Sequence, residues 1–149
     1  MTIYCKIFWQ RQINVVKQVL KDKFDYDIIC MTDEIDRADF QDRIIYVNSR
    51  CHPETRFYTL LHEYGHVELH EGDNDELRAT VPCYQSFYKN RWNRSKSGKV
   101  ATIVEELEAW KRGRLLAIRE GLIVDIAKYE KNMNDALMSY IKWAAGHWV

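Results

Sequence analysis

The chain has 149 residues, of which 46% are hydrophobic and 30% charged, with 22 basic side chains balancing 22 acidic ones. That length suits a single domain over 1–149, whose core needs no staples. The charge balance argues against an overall polyanion binder, and six glycines with two prolines exclude collagen-like or linker-rich chains.

In chain order, Thr2 to Trp9 reads as a first strand. Arg11 to Phe24 then sets Ile13, Val16, Leu20 and Phe24 at helical spacing. The apolar run Asp27 to Met31 predicts a strand, and the acidic stretch Thr32 to Asp42 a polar loop or one helical turn. Arg43 to Asn48 (RIIYVN) is rich in β-branched and aromatic residues and predicts another strand. His52-Pro53-Glu54-Thr55 reads as a helix start, since Pro53 suits the first turn and Glu54 complements the positive end of the dipole. That helix runs to about His70, with Gly72 as its stop. Residues 81–100 read as an irregular insertion. A helix follows from Ala101 to Gly121, and then two shorter ones, around Val124 to Glu130 and Asn134 to Ala145.

The cysteines, Cys5, Cys30, Cys51 and Cys83, are widely spaced and form no Cys-x-x-Cys pair, so they read as small half-buried hydrophobes. The N-terminus lacks a signal-peptide pattern, and no apolar run approaches the ~20 residues of a membrane span. The expectation is a cytoplasmic protein with reduced thiols and no membrane partner.

The chemistry concentrates in His62-Glu63-Tyr64-Gly65-His66, an HExxH pattern. Histidines at i and i+4 share one side of a helix and can bind one zinc ion. Zinc lowers the pKa of a water it holds toward ~7, and Glu63 is placed to take that water's proton as general base. Gly65 makes sense if another backbone passes close to the site. A third ligand is needed. His70 is rejected, because from 62 to 70 the helix rises about 12 Å at 1.5 Å per residue. The downstream Glu105-Glu106-Leu107-Glu108 cluster offers three carboxylates. Ala109, Gly113 and Ala117 form a small-residue stripe that traces back to Glu105 and Glu106. Glu106 is preferred, Glu105 is the alternative and Glu108 comes third.

The run IYVNSRCHPETRFYTLLHEYGHVELH, residues 45–70, resembles the ImmA/IrrE-type metallopeptidases, and Glu106-Leu107-Glu108-Ala109 is similar to the E-x-E-A stretch on their later helix. The likeness covers about Arg43 to Ala117. It implies an α+β, minimal zincin-like fold: a small sheet packed on the HExxH helix and a second Glu-bearing helix, followed by C-terminal helices. It also implies zinc held by His62, His66 and Glu106, since related zincins place the third ligand on a Glu three residues before a small residue. Two departures stand out. Trp110 occupies a position where the family has Asn or Asp, and Arg112-Gly113 replaces Phe-Ala. In this stretch the chain looks more like a phage-encoded branch of small HExxH proteins.

Residues 89–99 hold five basic side chains and no acid, interleaved with aromatics upstream. They suit a lid beside the cleft or, less readily, a nucleic-acid contact. Tyr84, Tyr88 and His147 are candidate oxyanion donors by residue type. Tyr64 is turned away from the ligand face by its spacing, and His52 reads as structural or solvated. Tyr140, Trp143 and Trp148 read as core or dimer surface. The functional expectation is a zinc-dependent metallopeptidase acting on a protein or peptide substrate. The rivals are a non-cleaving module that sequesters a host or regulatory protein, and a nucleic-acid-associated protein using the 89–99 patch.

Overall fold

The computed structural model describes residues 3–33, 35–72 and 95–146. It is α+β, with four helices and one three-stranded mixed sheet among the described residues. The elements are α1 (Ile3–Phe24), β1 (Asp27–Met31), β2 (Arg37–Asp39), β3 (Ile44–Asn48), α2 (Pro53–Glu71), α3 (Lys96–Arg119) and α4 (Ile126–Ala144). No described helix is long and apolar enough to cross a membrane.

Four sequence expectations are corrected. The predicted first strand is the opening of α1. Trp9, Ile13, Val16, Leu20 and Phe24 form one buried stripe, and Trp9 packs on Phe57 and Tyr58 of α2. That tertiary burial overrides the strand propensity of IYCKIFW. The polar loop contains β2, a three-residue strand too short to show alternation. Helix α3 begins at Lys96, inside the predicted insertion, because the Ser95 hydroxyl accepts the Gly98 amide at 3.0 Å and caps it. The two C-terminal helices are one, for Asn132 donates to the Lys128 carbonyl at 2.9 Å and sits within the helix instead of breaking it.

The sheet order is β1-β3-β2, with β1 parallel and β2 antiparallel to β3. Ile45 and Val47 on central β3 are buried in the core. Helix α2 starts as its sequence indicates: the His52 Nδ1 accepts the Glu54 amide at 3.2 Å, and Pro53 follows. The helix is then buried on almost every side, through Phe57, Tyr58, Leu60, Leu61, Tyr64, Val67 and Leu69. It lies between α1 and the sheet on one hand and α3 on the other.

Helix α3 runs antiparallel to α2, with Gly113 against Leu61 and Ala109 against Gly65. A Cβ on Gly65 would overlap the Ala109 carbonyl, and one on Gly113 would overlap the Leu61 carbonyl. Glycine is required at both because the two backbones touch. The sequence expectation of a close approach at Gly65 is met. The loop between α3 and α4 is tied to α1 by Gln12, which accepts from the Ile123 amide at 2.6 Å and donates to the Ile123 carbonyl at 3.0 Å. Asp125 caps α4, and its amide donates to the Tyr58 hydroxyl at 3.1 Å.

Candidate metal centre

The buried positions of α3 fall in pairs: Ala101 and Thr102, Glu105 and Glu106, Ala109 and Trp110, then Gly113, Leu116 and Ala117. This is the stripe that packs on α2, so Glu105 and Glu106 lie within it. Glu108 lies off it and pairs with Lys111 at 2.7 Å. On α2, the i and i+4 relation sets the two histidine rings T-shaped, 4.5 Å apart between centroids.

His62, His66 and Glu106 come together here. The two Nε2 atoms are 3.1 Å apart. Glu106 Oε2 lies 3.2 Å from His62 Nε2, and Glu106 Oε1 lies 3.4 Å from His66 Nε2. Among the described residues, these three form a group whose possible ligand atoms all lie within 4.8 Å of one another. Bonds of about 2.0–2.1 Å at tetrahedral angles put neighbouring ligand atoms about 3.3–3.4 Å apart. The two Nε2 atoms are near that spacing, and each faces a different oxygen of the Glu106 carboxylate at a similar distance, so the donor set of two imidazoles and one carboxylate fits a small cation held between them.

The surroundings orient the rings unequally. Glu105 Oε1 lies 3.4 Å from His66 Nδ1, the arrangement by which a carboxylate fixes a ligating imidazole. His62 Nδ1 is buried and has no hydrogen-bond partner among the described residues. Its ring is held by Trp110, stacked at 4.4 Å with 25° between planes.

Charge within the cluster is coupled. Burial pushes the Glu63 carboxyl up, while the neighbouring histidines pull it down; the net shift is upward. Burial opposes charge on His66, but hydrogen bonds that it donates to Glu105 and Glu106 outweigh it and raise its pKa well above the usual imidazole value. Burial likewise works against Glu106, and the two imidazoles overcome it, holding that carboxyl far below the usual range.

The remaining candidates are separate from this group. Tyr64 faces the other side of α2, its hydroxyl donating to Glu68 at 2.7 Å and accepting from Arg119 at 2.9 Å. His70 stacks on Phe40 at 4.2 Å. His52 serves as the cap. Tyr84, Tyr88, His147 and the 81–94 part of the insertion lie outside the described residues.

One residue escaped the sequence reading. Tyr140 of α4, expected in the core or at a dimer surface, lies near the acidic cluster: burial, then the charges of Glu106, Glu63 and Glu105, push its phenol upward. The available signal was spacing: Tyr129, Met133, Ala136 and Tyr140 recur at steps of four, three and four, one face of a helix.

Residues 22–90 match a peptidase family model described as the IrrE N-terminal-like domain. The matched segment is of the ImmA/IrrE type. No curated protein and no solved structure gives a significant match to the chain. The ImmA/IrrE-type match takes in His62, Glu63 and His66 on α2, and stops before α3 and α4. The family supplies a metallopeptidase-like domain; Glu105, Glu106 and Trp110 are read from geometry.

Proposed function

We propose that the chain is a zinc-dependent metallopeptidase, with His62, His66 and Glu106 as its metal ligands and Glu63 as its general base. The observation that carries this reading is the convergence of two imidazoles from one helix and a carboxylate from another, with one possible ligand atom from each within 4.8 Å of the others. The two-nitrogen, one-carboxylate donor set favours zinc over magnesium or calcium. Zinc bound there would supply Lewis-acid polarisation of the scissile carbonyl and of the attacking water.

The chain's own residues do the rest. Glu63 directly follows the first ligand, and burial has already raised its proton affinity. A carboxylate so placed takes the proton of the attacking water and passes it to the leaving amine. The substrate is a protein segment, bound extended beside the sheet edge.

Zinc content and cleavage of a mixed peptide library together test the reading. The wild type should hold about one zinc per chain and cleave. Glu63→Gln should hold the same zinc and cleave ~100-fold more slowly or worse. Zinc retained by a wild type that cleaves nothing in the library would replace the peptidase with a non-cleaving binding domain.

A further inference from the structure

Strand β1 forms one edge of the sheet, and its outer side is open among the described residues. In its parallel pairing with β3, the Asp27 amide donates to the Arg43 carbonyl at 3.0 Å and the Met31 carbonyl accepts the Ser49 amide at 2.8 Å. Asp27, Ile29 and Met31 therefore turn their backbone groups toward β3, and Ile28 and Cys30 turn theirs outward. The side chains of Ile28 and Cys30 line a recess of about 100 Å3 between the sheet, α1 and α2. Buried Ile13 and Leu60 make part of its wall apolar. Lys17 and Arg56 make it positive, with no acid in the lining. The Arg56 Nε is buried without a hydrogen-bond partner among the described residues, and neither Arg56 nor Lys17 forms an ion pair there. Lys17 and Ile28 also border a more open trough of about 480 Å3, which continues the groove toward Lys21 and Tyr26. Arg56 and Leu60 share one face of α2, and Leu60 is about 200° around the helix from His62. The groove is therefore separate from the candidate metal centre.

We infer that the groove between β1 and α1 docks an extended acidic segment of another protein, which adds as a strand to β1 and places one Asp or Glu side chain in the recess against Arg56 and Lys17. The outward amides and carbonyls of Ile28 and Cys30 supply the main-chain hydrogen bonds. Alternate side chains of an added strand fall on the α1 side, where the recess lies. The recess is well below the ~300–1,000 Å3 of a pocket for a whole small molecule, and its size suits one short side chain. An unpaired, part-buried guanidinium is costly, and a carboxylate supplies the missing partner with charge-assisted hydrogen bonds. A second copy of this chain fits less well, since the β1 residues it would turn to that side are Ile28 and Cys30, neither of them an acid. The inference does not depend on the metal reading.

The test uses the full chain and short capped peptides of alternating Thr and Val, with Glu or Gln at the centre, and reads binding by backbone amide NMR. The Glu peptide should shift the Ile28 and Cys30 amides, slow their hydrogen exchange and leave the His62 and His66 rings unshifted. It should bind ~10- to 100-fold more tightly than the Gln peptide. Arg56→Met should erase that preference, and Arg56→Lys should keep part of it. Cys30→Pro removes one outward amide, a change that an edge strand accepts, and should weaken both peptides alike, whereas Cys30→Ala should not. Should Cys30→Pro fail to fold, the Arg56 variants decide. The inference is overturned if neither peptide moves the β1 amides, or if the Glu preference survives Arg56→Met. Shifts confined to His62 and His66 also overturn it, by assigning the peptide to the metal centre. So does slow exchange of the β1 amides before any peptide is added: in a chain that sediments as a dimer it gives the groove to a second copy, and in a monomer to the chain itself.

Discussion

At the seam between α2 and α3, backbone meets backbone: no side chain fits at Gly65 or Gly113, and the buried glutamates are set beside the histidines by that contact. At the outer strand β1 the reverse holds. Among the described residues β1 pairs only with β3, and Ile29 and Met31 are each 40% exposed. Positional precision is concentrated where the candidate ligands sit, while the sheet's far edge tolerates looseness. The difference shows what each part does: the seam sets distances, and the sheet serves as a floor for α2.

The strongest way to break this contrast is Gly65→Ala. One added methyl has no free space, and overpacking a backbone contact should cost more than about 3 kcal/mol. Chemical denaturation should show the loss, and zinc binding should fall with it. An alanine tolerated within about 1 kcal/mol would mean that the helices can part, and the seam would lose its claim to rigidity.

A middle-sized effect concerns the metal-free protein. Burial raises the Glu63 carboxyl above its ordinary range, so folding there takes up a proton. Stability from this group is fully present below the ordinary carboxylate range and is lost as pH rises through the raised value. His66, also raised, changes stability in the same direction. Glu63→Gln removes the first of these costs. Its metal-free form should gain on the order of 1 kcal/mol at neutral pH, read as a higher thermal midpoint and a flatter dependence on pH. A lower midpoint would show that Glu63 is held by contacts its carboxylate needs.

The smallest effect should come from β1. Ile29→Thr keeps a β-branched side chain at an exposed position and should shift stability by no more than about 0.5 kcal/mol. A larger loss would place that strand under cover.

Sequence and structure agree best where one local signal sufficed. Helix α2 was legible from His52-Pro53-Glu54 and from the spacing of the histidines. The seam was legible from Gly65 and the Ala109, Gly113, Ala117 stripe, which also narrowed three glutamates to two. Between Glu105 and Glu106 spacing cannot choose, since neighbours on a helix both reach a stripe of that width; only the packed geometry separates the one facing both Nε2 atoms from the one facing His66 Nδ1. The opening of α1 was misread because IYCKIFW favours a strand locally, and its helix depends on Trp9 finding α2. Tyr140 was missed because the acidic cluster it lies near is built from residues far earlier in the chain, on other helices.

The touching backbones at positions 65 and 109 also bear on how such a centre could be re-tuned. Two rods welded at that point cannot spread to admit a wider ion or draw together around a narrower one. A change of metal preference would have to come through the reach and softness of the donor groups themselves, by exchange of one side chain for another on an unaltered chassis.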